Sequence, residues 1–217
     1  ITSGFLKRLG YPDAVDTGCP ALYLFNNEFR IRNSRKVALT FPYPLLNKNT
    51  AEDKYRILTE TIKRTLELIR SKGLDPVITC HDDRDVYTAQ FEYPGEKIFF
   101  SNYPDDFFEF YNDCLMVIGS RLHATILNSG MGVPNVNINL DLRGKGFSQS
   151  FGLENWHIDY TDPDLMKRLS GNIDKILSGD LRVFEEFYKN KTEKYTVFRN
   201  FIDRTAEIIL SNLRQDI

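Results

Sequence analysis

Short runs of aliphatic and β-branched residues alternate with longer helical stripes along most of this chain, and that alternation restricts what it can fold into. Residues 37–41 read as a buried strand stopped by Pro42 and Pro44. Residues 52–71 carry Ile57, Leu58, Ile62, Leu66 and Ile69 at helical spacing, with Gly73 as a stop. Residues 75–80 form the next strand, followed by His81-Asp82-Asp83 and a short helix through about residues 87–90. Residues 97–100 are a third strand, and Pro104 opens a helix bearing Phe107, Phe108 and Tyr111. Residues 115–119 are a fourth strand, with a helix from Arg121 to about Asn128 closed by Gly130 and Gly132. Residues 134–138 are a fifth strand, and residues 156–159 a candidate sixth. Strands interleaved with helices require crossover connections and therefore a parallel sheet. The expected fold class is α/β, a Rossmann-like parallel sheet flanked by helices, with further helical stretches at residues 163–177 and 181–213.

The boundaries follow from the same pattern. Residues 1–36 read as an N-terminal segment, the remnant of an inter-domain connection. Residues 37–160 are the Rossmann-like domain, and residues 161–217 are C-terminal helices packing on it. At 217 residues the chain buries a sizeable core. A net charge of -2 argues against general nucleic-acid or anionic-membrane binding. Cys19, Cys80 and Cys114 lack paired spacing, which suggests reduced thiols and a cytosolic setting. No apolar run reaches the ~18 residues of a membrane span, and no signal peptide is visible. The sequence starts at Ile1 without a clear beginning, so it is expected to be a fragment of a longer protein.

The chemistry concentrates where the fourth strand ends, at Gly119-Ser120-Arg121-Leu122-His123. In a wound α/β sheet ligands sit at the C-terminal ends of strands. A cation at a helix start opposes the helix dipole by roughly 0.3–1 kcal/mol, and a bound anion removes the conflict. Arg121 therefore reads either as an anion ligand or as a structural partner of a carboxylate. His123 reads either as a general acid or as a hydrogen-bonded histidine. Two fully helical residues at this spacing point about 200° apart, so the pair converges only if Arg121 lies in the turn before the helix. Ser120 suits the N-cap, with Arg121 the first helical residue.

His81 with Asp82 and Asp83 is a weak metal signal, better read as solvated turn residues, and no metal is expected. His81 and Thr40 are candidates for the rim of the same cleft. His157 reads as structural. Residues 141–147, with Arg143 and Lys145, read as a glycine-containing basic loop, an extension of an anion site or a plain surface loop. They match neither the Walker pattern nor a dinucleotide fingerprint. Phe107, Phe108, Phe110 and Tyr111 read as core and helix surface rather than a stacking platform. No serine or cysteine nucleophile motif is present, and Cys80 and Cys114 read as buried thiols.

Residues 120–126, then Gly132-Val133-Pro134, Asn139-Leu140-Asp141 and residues 147–152, resemble the C-terminal half of polysaccharide pyruvyl transferases. The likeness is strongest over residues 114–160 and extends from about Thr17. It implies the C-terminal, donor-binding domain of a GT-B-like fold. The implied reaction moves a pyruvyl group from phosphoenolpyruvate to a sugar of a bacterial surface polysaccharide, forming a pyruvate ketal. By position His123 resembles the general acid, and Arg121, with Ser120, Arg143 and Lys145, the donor-binding set. The implied partners are phosphoenolpyruvate, a glycan or lipid-linked sugar acceptor, and an N-terminal domain outside this sequence that supplies the other cleft wall, without which this chain alone is expected to be inactive. No cofactor is implied, only the donor substrate, and the setting is cytoplasmic, at the inner face of the membrane.

Two positions depart from that family's pattern. Arg143 stands where many relatives carry lysine, and Phe41-Pro42-Tyr43 where many carry a basic residue. The alternative is a GT-B-like glycosyltransferase or nucleotide-sugar epimerase domain. It needs a carboxylate for a ribose, and Glu154 is the only nearby candidate in the sequence. A non-catalytic binding module is the third reading.

Overall fold

The computed structural model describes residues 6–12, 14, 16–25, 28–41 and 52–215. The chain stops read at Pro42 and Pro44, and the departure at Pro42-Tyr43, lie outside the described residues. The elements run β1 (Lys36–Thr40), α1 (Glu52–Ser71), β2 (Asp75–Thr79), α2 (Asp83–Glu92), β3 (Ile98–Phe99), α3 (Pro104–Asn112), β4 (Met116–Gly119) and α4 (Leu122–Gly130). They continue with β5 (Asn135–Asn139), α5 (Leu142–Phe151), β6 (His157–Asp159), α6 (Leu165–Leu177) and α7 (Arg182–Gln215).

All six strands pair in parallel, in the order β3-β2-β1-β4-β5-β6. The order reverses between β1 and β4. A crevice opens at such a switch point because the connections leaving the two strands diverge to opposite sides.

Alternation along the strands feeds two apolar layers. Val37, Leu39, Met116 and Ile118 pack in one cluster with Leu66 and Ile69 of α1, Leu169 and Ile173 of α6, and Phe184 and Phe187 of α7. Ala38 and Val117 pack in the other with Tyr111 of α3 and Ala124 of α4. The central strands β1 and β4 are almost wholly buried, which is why they read as unbroken apolar runs rather than alternating ones.

One segment differs from its sequence reading. Residues 141–147 are not a loop. Asp141 takes an extended conformation, its carboxylate accepts the Arg143 N–H, and α5 begins at Leu142. Gly144 has a packing reason: a Cβ there would run into the Asn139 side-chain oxygen. A glycine that breaks helices in water is here demanded by the approach of α5 to β5.

Candidate functional site

The site begins with a glycine. Gly119 ends β4 opposite Thr40 of β1, and a Cβ at Gly119 would run into the Thr40 carbonyl oxygen. The two strand ends approach closely enough for the Ser120 N–H to donate to that same carbonyl at 2.8 Å. Thr40 is consequently buried beneath the switch point, 1% exposed, and stands outside the lining of the neighbouring cavity.

Arg121, not Ser120, is the N-cap of α4, with extended backbone (φ -79, ψ 104), so it lies in the turn before the helix. An arginine side chain has no acceptor to offer, and the first turn of α4 has no side-chain cap. The guanidinium turns instead to α2. Its Nη2 donates to the Asp85 carboxylate and lies 3.6 Å from Asp82. Asp85 is buried, and it also accepts the His81 N–H at 3.0 Å. Asp82 caps α2 by accepting the Arg84 and Asp85 amides, and these bonds with Arg84 and the Arg121 charge draw its carboxyl below the usual range although burial opposes them. Arg121 Nε, Thr40 Oγ1, Thr79 Oγ1 and Ser120 Oγ are buried polar atoms with no partner among the described residues, all at the C-terminal edge of β1, β2 and β4.

His123 is exposed and opens on a cavity of about 540 Å3 between the ends of β2 and β3 and the helices α3 and α4. His81, Asp82, Asp83, Tyr103, Phe107 and Phe108 line it with His123, and among the described residues no lysine or arginine does. His81 is stacked on Phe107 with ring centroids 5.2 Å apart, and its Nε2 lies 2.9 Å from the Tyr111 hydroxyl. Burial, and secondarily the Arg121 charge, push the His81 pKa down to about 4, so His81 is neutral at physiological pH. Burial pushes the Tyr111 phenol up. Both groups are therefore uncharged at neutral pH.

Arg121 and His123 are thus two residues apart with different surroundings. His123 faces the cavity, and Arg121 faces the carboxylates at the start of α2. Asp82 belongs to both groups. Arg143 is exposed and folded back on Asp141, with Nη2 2.6 Å from that carboxylate, and Lys145 is exposed on α5. His157 is buried, with its pKa pushed down to about 3 by desolvation. Burial raises both the Cys80 and Cys114 thiols to about 12. Among the described residues no group of three or more His, Cys, Asp or Glu is placed to hold a metal ion.

Two signals escaped the sequence reading. The aromatics Phe107, Phe108 and Tyr111 do face a cavity, because α3 leans against α4 only in the folded chain. The carboxylates Asp82 and Asp83 stand at the end of β2, where a carboxylate accepts the ribose hydroxyl in dinucleotide-binding folds of this strand order. Glu154 stands beside β6, at the far edge of the sheet.

The sequence model of the family "Polysaccharide pyruvyl transferase" matches residues 2–141. The chain belongs to the polysaccharide pyruvyl transferase family. The match includes the Arg121-Leu122-His123 turn and stops before Arg143 and Lys145, so it begins earlier and ends earlier than the residues carrying the sequence resemblance. No curated protein matches the chain. Among solved structures, a "putative UDP-N-acetylglucosamine 2-epimerase" from Listeria monocytogenes aligns with a TM-score of 0.49 at 13% identity. That alignment covers 88% of this pyruvyl transferase family chain, which spans about half (49%) of the Listeria protein's length. Among the described residues no helix is long and apolar enough to cross a membrane.

Proposed function

We propose that this chain carries the donor-binding domain, residues 37–160, of an enzyme that transfers a pyruvyl group from phosphoenolpyruvate to a sugar of a surface polysaccharide. What supports the reading is the family match across Arg121-Leu122-His123, the turn that opens α4 beside the switch point. The uncapped amides there offer donors to a phosphate or carboxylate. Arg121, oriented by Asp85 and Asp82, supplies the adjacent positive charge.

In the reaction His123 delivers a proton to the methylene carbon of the donor. The resulting cation at the neighbouring carbon is captured by one sugar hydroxyl. A second hydroxyl then displaces phosphate, and the ketal closes. Two hydroxyl protons are released: one balances the new methyl group, and the other leaves on inorganic phosphate. Neither step calls for a redox cofactor or a metal. The setting is the cytoplasmic face of the membrane, where lipid-linked acceptors are assembled.

Calorimetry with phosphoenolpyruvate tests the donor site. Binding by the native chain, weakened in Arg121→Lys and retained in His123→Gln, is the expected pattern. Absence of phosphoenolpyruvate binding in the native chain refutes the reading.

A further inference from the structure

We propose that the cavity between α3 and α4 is a subsite for a neutral, hydroxylated pyranose ring, the acceptor of the transfer. That the ring is the acceptor rests on the transferase reading; that a ring binds there does not. The sequence reading looks to another domain for the acceptor, whereas three features of this cavity point to a sugar here.

The first is charge. Asp82 and Asp83 face the cavity, and among the described residues its lining includes no lysine or arginine, Arg84 and Arg121 contacting Asp82 from outside that lining. With Asp82 engaged by the Arg84 and Asp85 amides and the Arg84 guanidinium, Asp83 is the carboxylate placed to accept hydrogen bonds from hydroxyls, two when vicinal hydroxyls are presented. The second is the apolar wall. Tyr103 stands at the mouth with 70% of its surface exposed, and Phe107 and Phe108 continue the wall inward. Flat aromatic faces suit the C–H face of a pyranose, which is apolar while its rim is polar. The third is a preset loop. Ser101 Oγ donates to Asp106 and accepts the Tyr103 N–H at 3.1 Å, which holds the backbone at Tyr103 before any ligand arrives.

The position of the cavity gives the ring a purpose. His123 lines it from the first turn of α4, so a hydroxyl held by Asp82 and Asp83 is brought toward the turn where the donor is proposed to bind. A ribose would satisfy the same carboxylates. The chain has no glycine-rich dinucleotide turn, and among the described residues the cavity lining includes no cation for a diphosphate, which favours the uncharged glycoside.

The test is a chemical-shift titration of the 217-residue chain with methyl β-D-galactopyranoside, methyl α-D-mannopyranoside and uridine, each with and without phosphoenolpyruvate. Saturable shifts centred on Asp83, Tyr103 and Ala124 with at least one glycoside are expected, weakened at least about tenfold in Tyr103→Ala and in Asp83→Asn. Tyr103 makes no side-chain capping bond to α3, so its loss leaves that helix start intact. No saturable glycoside shift with or without donor, shifts elsewhere on the surface, or shifts with uridine alone overturns the proposal. Glycoside binding without any phosphoenolpyruvate binding keeps this subsite and removes the transferase reading. Phosphoenolpyruvate binding without glycoside binding does the reverse.

Discussion

Single residues bear unequal weight around the switch point. Gly119 has no room for a Cβ against the Thr40 carbonyl, which is backbone and has no rotamer to yield. Gly119→Ala should therefore cost at least about 2 kcal/mol by urea denaturation, at the upper end of overpacking penalties. Asp85 is the buried half of its pair with Arg121, at 3% side-chain exposure against 21%. Such a pair contributes little net stability, because desolvation offsets the attraction, but breaking one side strands the other. Asp85→Asn should lose about 3 kcal/mol, and an unchanged urea midpoint would contradict the pairing. The histidines set the acid limb. Unfolded His81 takes its proton near pH 6.5 and folded His81 near 4, so acidification through that window favours the unfolded chain. Carboxylates such as Asp82, already depressed in the fold, give up their contribution only below about 3.8. The fall in stability between pH 6.5 and 4.5 thus belongs to buried histidine, worth up to about 3 kcal/mol for His81. His157, with its pKa pushed down to about 3, releases stability over the same window, so His81→Gln should roughly halve the slope of that limb, and an equal slope in the variant would argue against it.

Elements show why some of the molecule was legible in the sequence and some was not. Helix α1 was readable end to end because one face is buried and the period of its apolar residues survives in the sequence. The central strands β1 and β4 were readable because apolar residues run without interruption where helices cover both faces. Helix α5 was hidden by Gly144 and Gly146, whose local preference opposes a helix while close packing on β5 rewards one. The Asp141 cap was its one local signal. Asp141→Ala should cost about 1 kcal/mol and leave the cavity between α3 and α4 unaltered, measured by urea midpoint alongside the glycoside titration. The candidate site divides in the same way. Arg121 and His123 were legible because they follow a strand directly. Asp85 as the partner of Arg121, and Phe107 as a cavity wall, were not, because both depend on the packing of separate helices that no spacing rule encodes.

At the scale of the whole molecule, α7 is where the chain closes on itself. It runs 34 residues, about 50 Å, far longer than the sheet needs for cover. Its first third is structural. Phe184 and Phe187 are buried, Phe184 stacks on Phe29, and Lys191 reaches through the core to the carbonyls of Phe25 and Gly130. That lysine satisfies the C-terminal end of α4, so the far helix steadies the helix that opens the site. Beyond Val197 the apolar residues Phe201, Ile202, Ile208 and Ile209 are each about half exposed and bury little against the rest of the chain. The two parts of one helix should therefore answer differently to alteration. Phe187→Ala should cost about 3–5 kcal/mol, the usual range for emptying a buried aromatic position. Ending the chain after Asn200 should move the urea midpoint by less than about 0.5 kcal/mol equivalent, since it removes surface rather than core. A truncation as damaging as Phe187→Ala would mean that the distal half of α7 packs on the domain in solution, and the stability of the sheet would have to be reassigned to it.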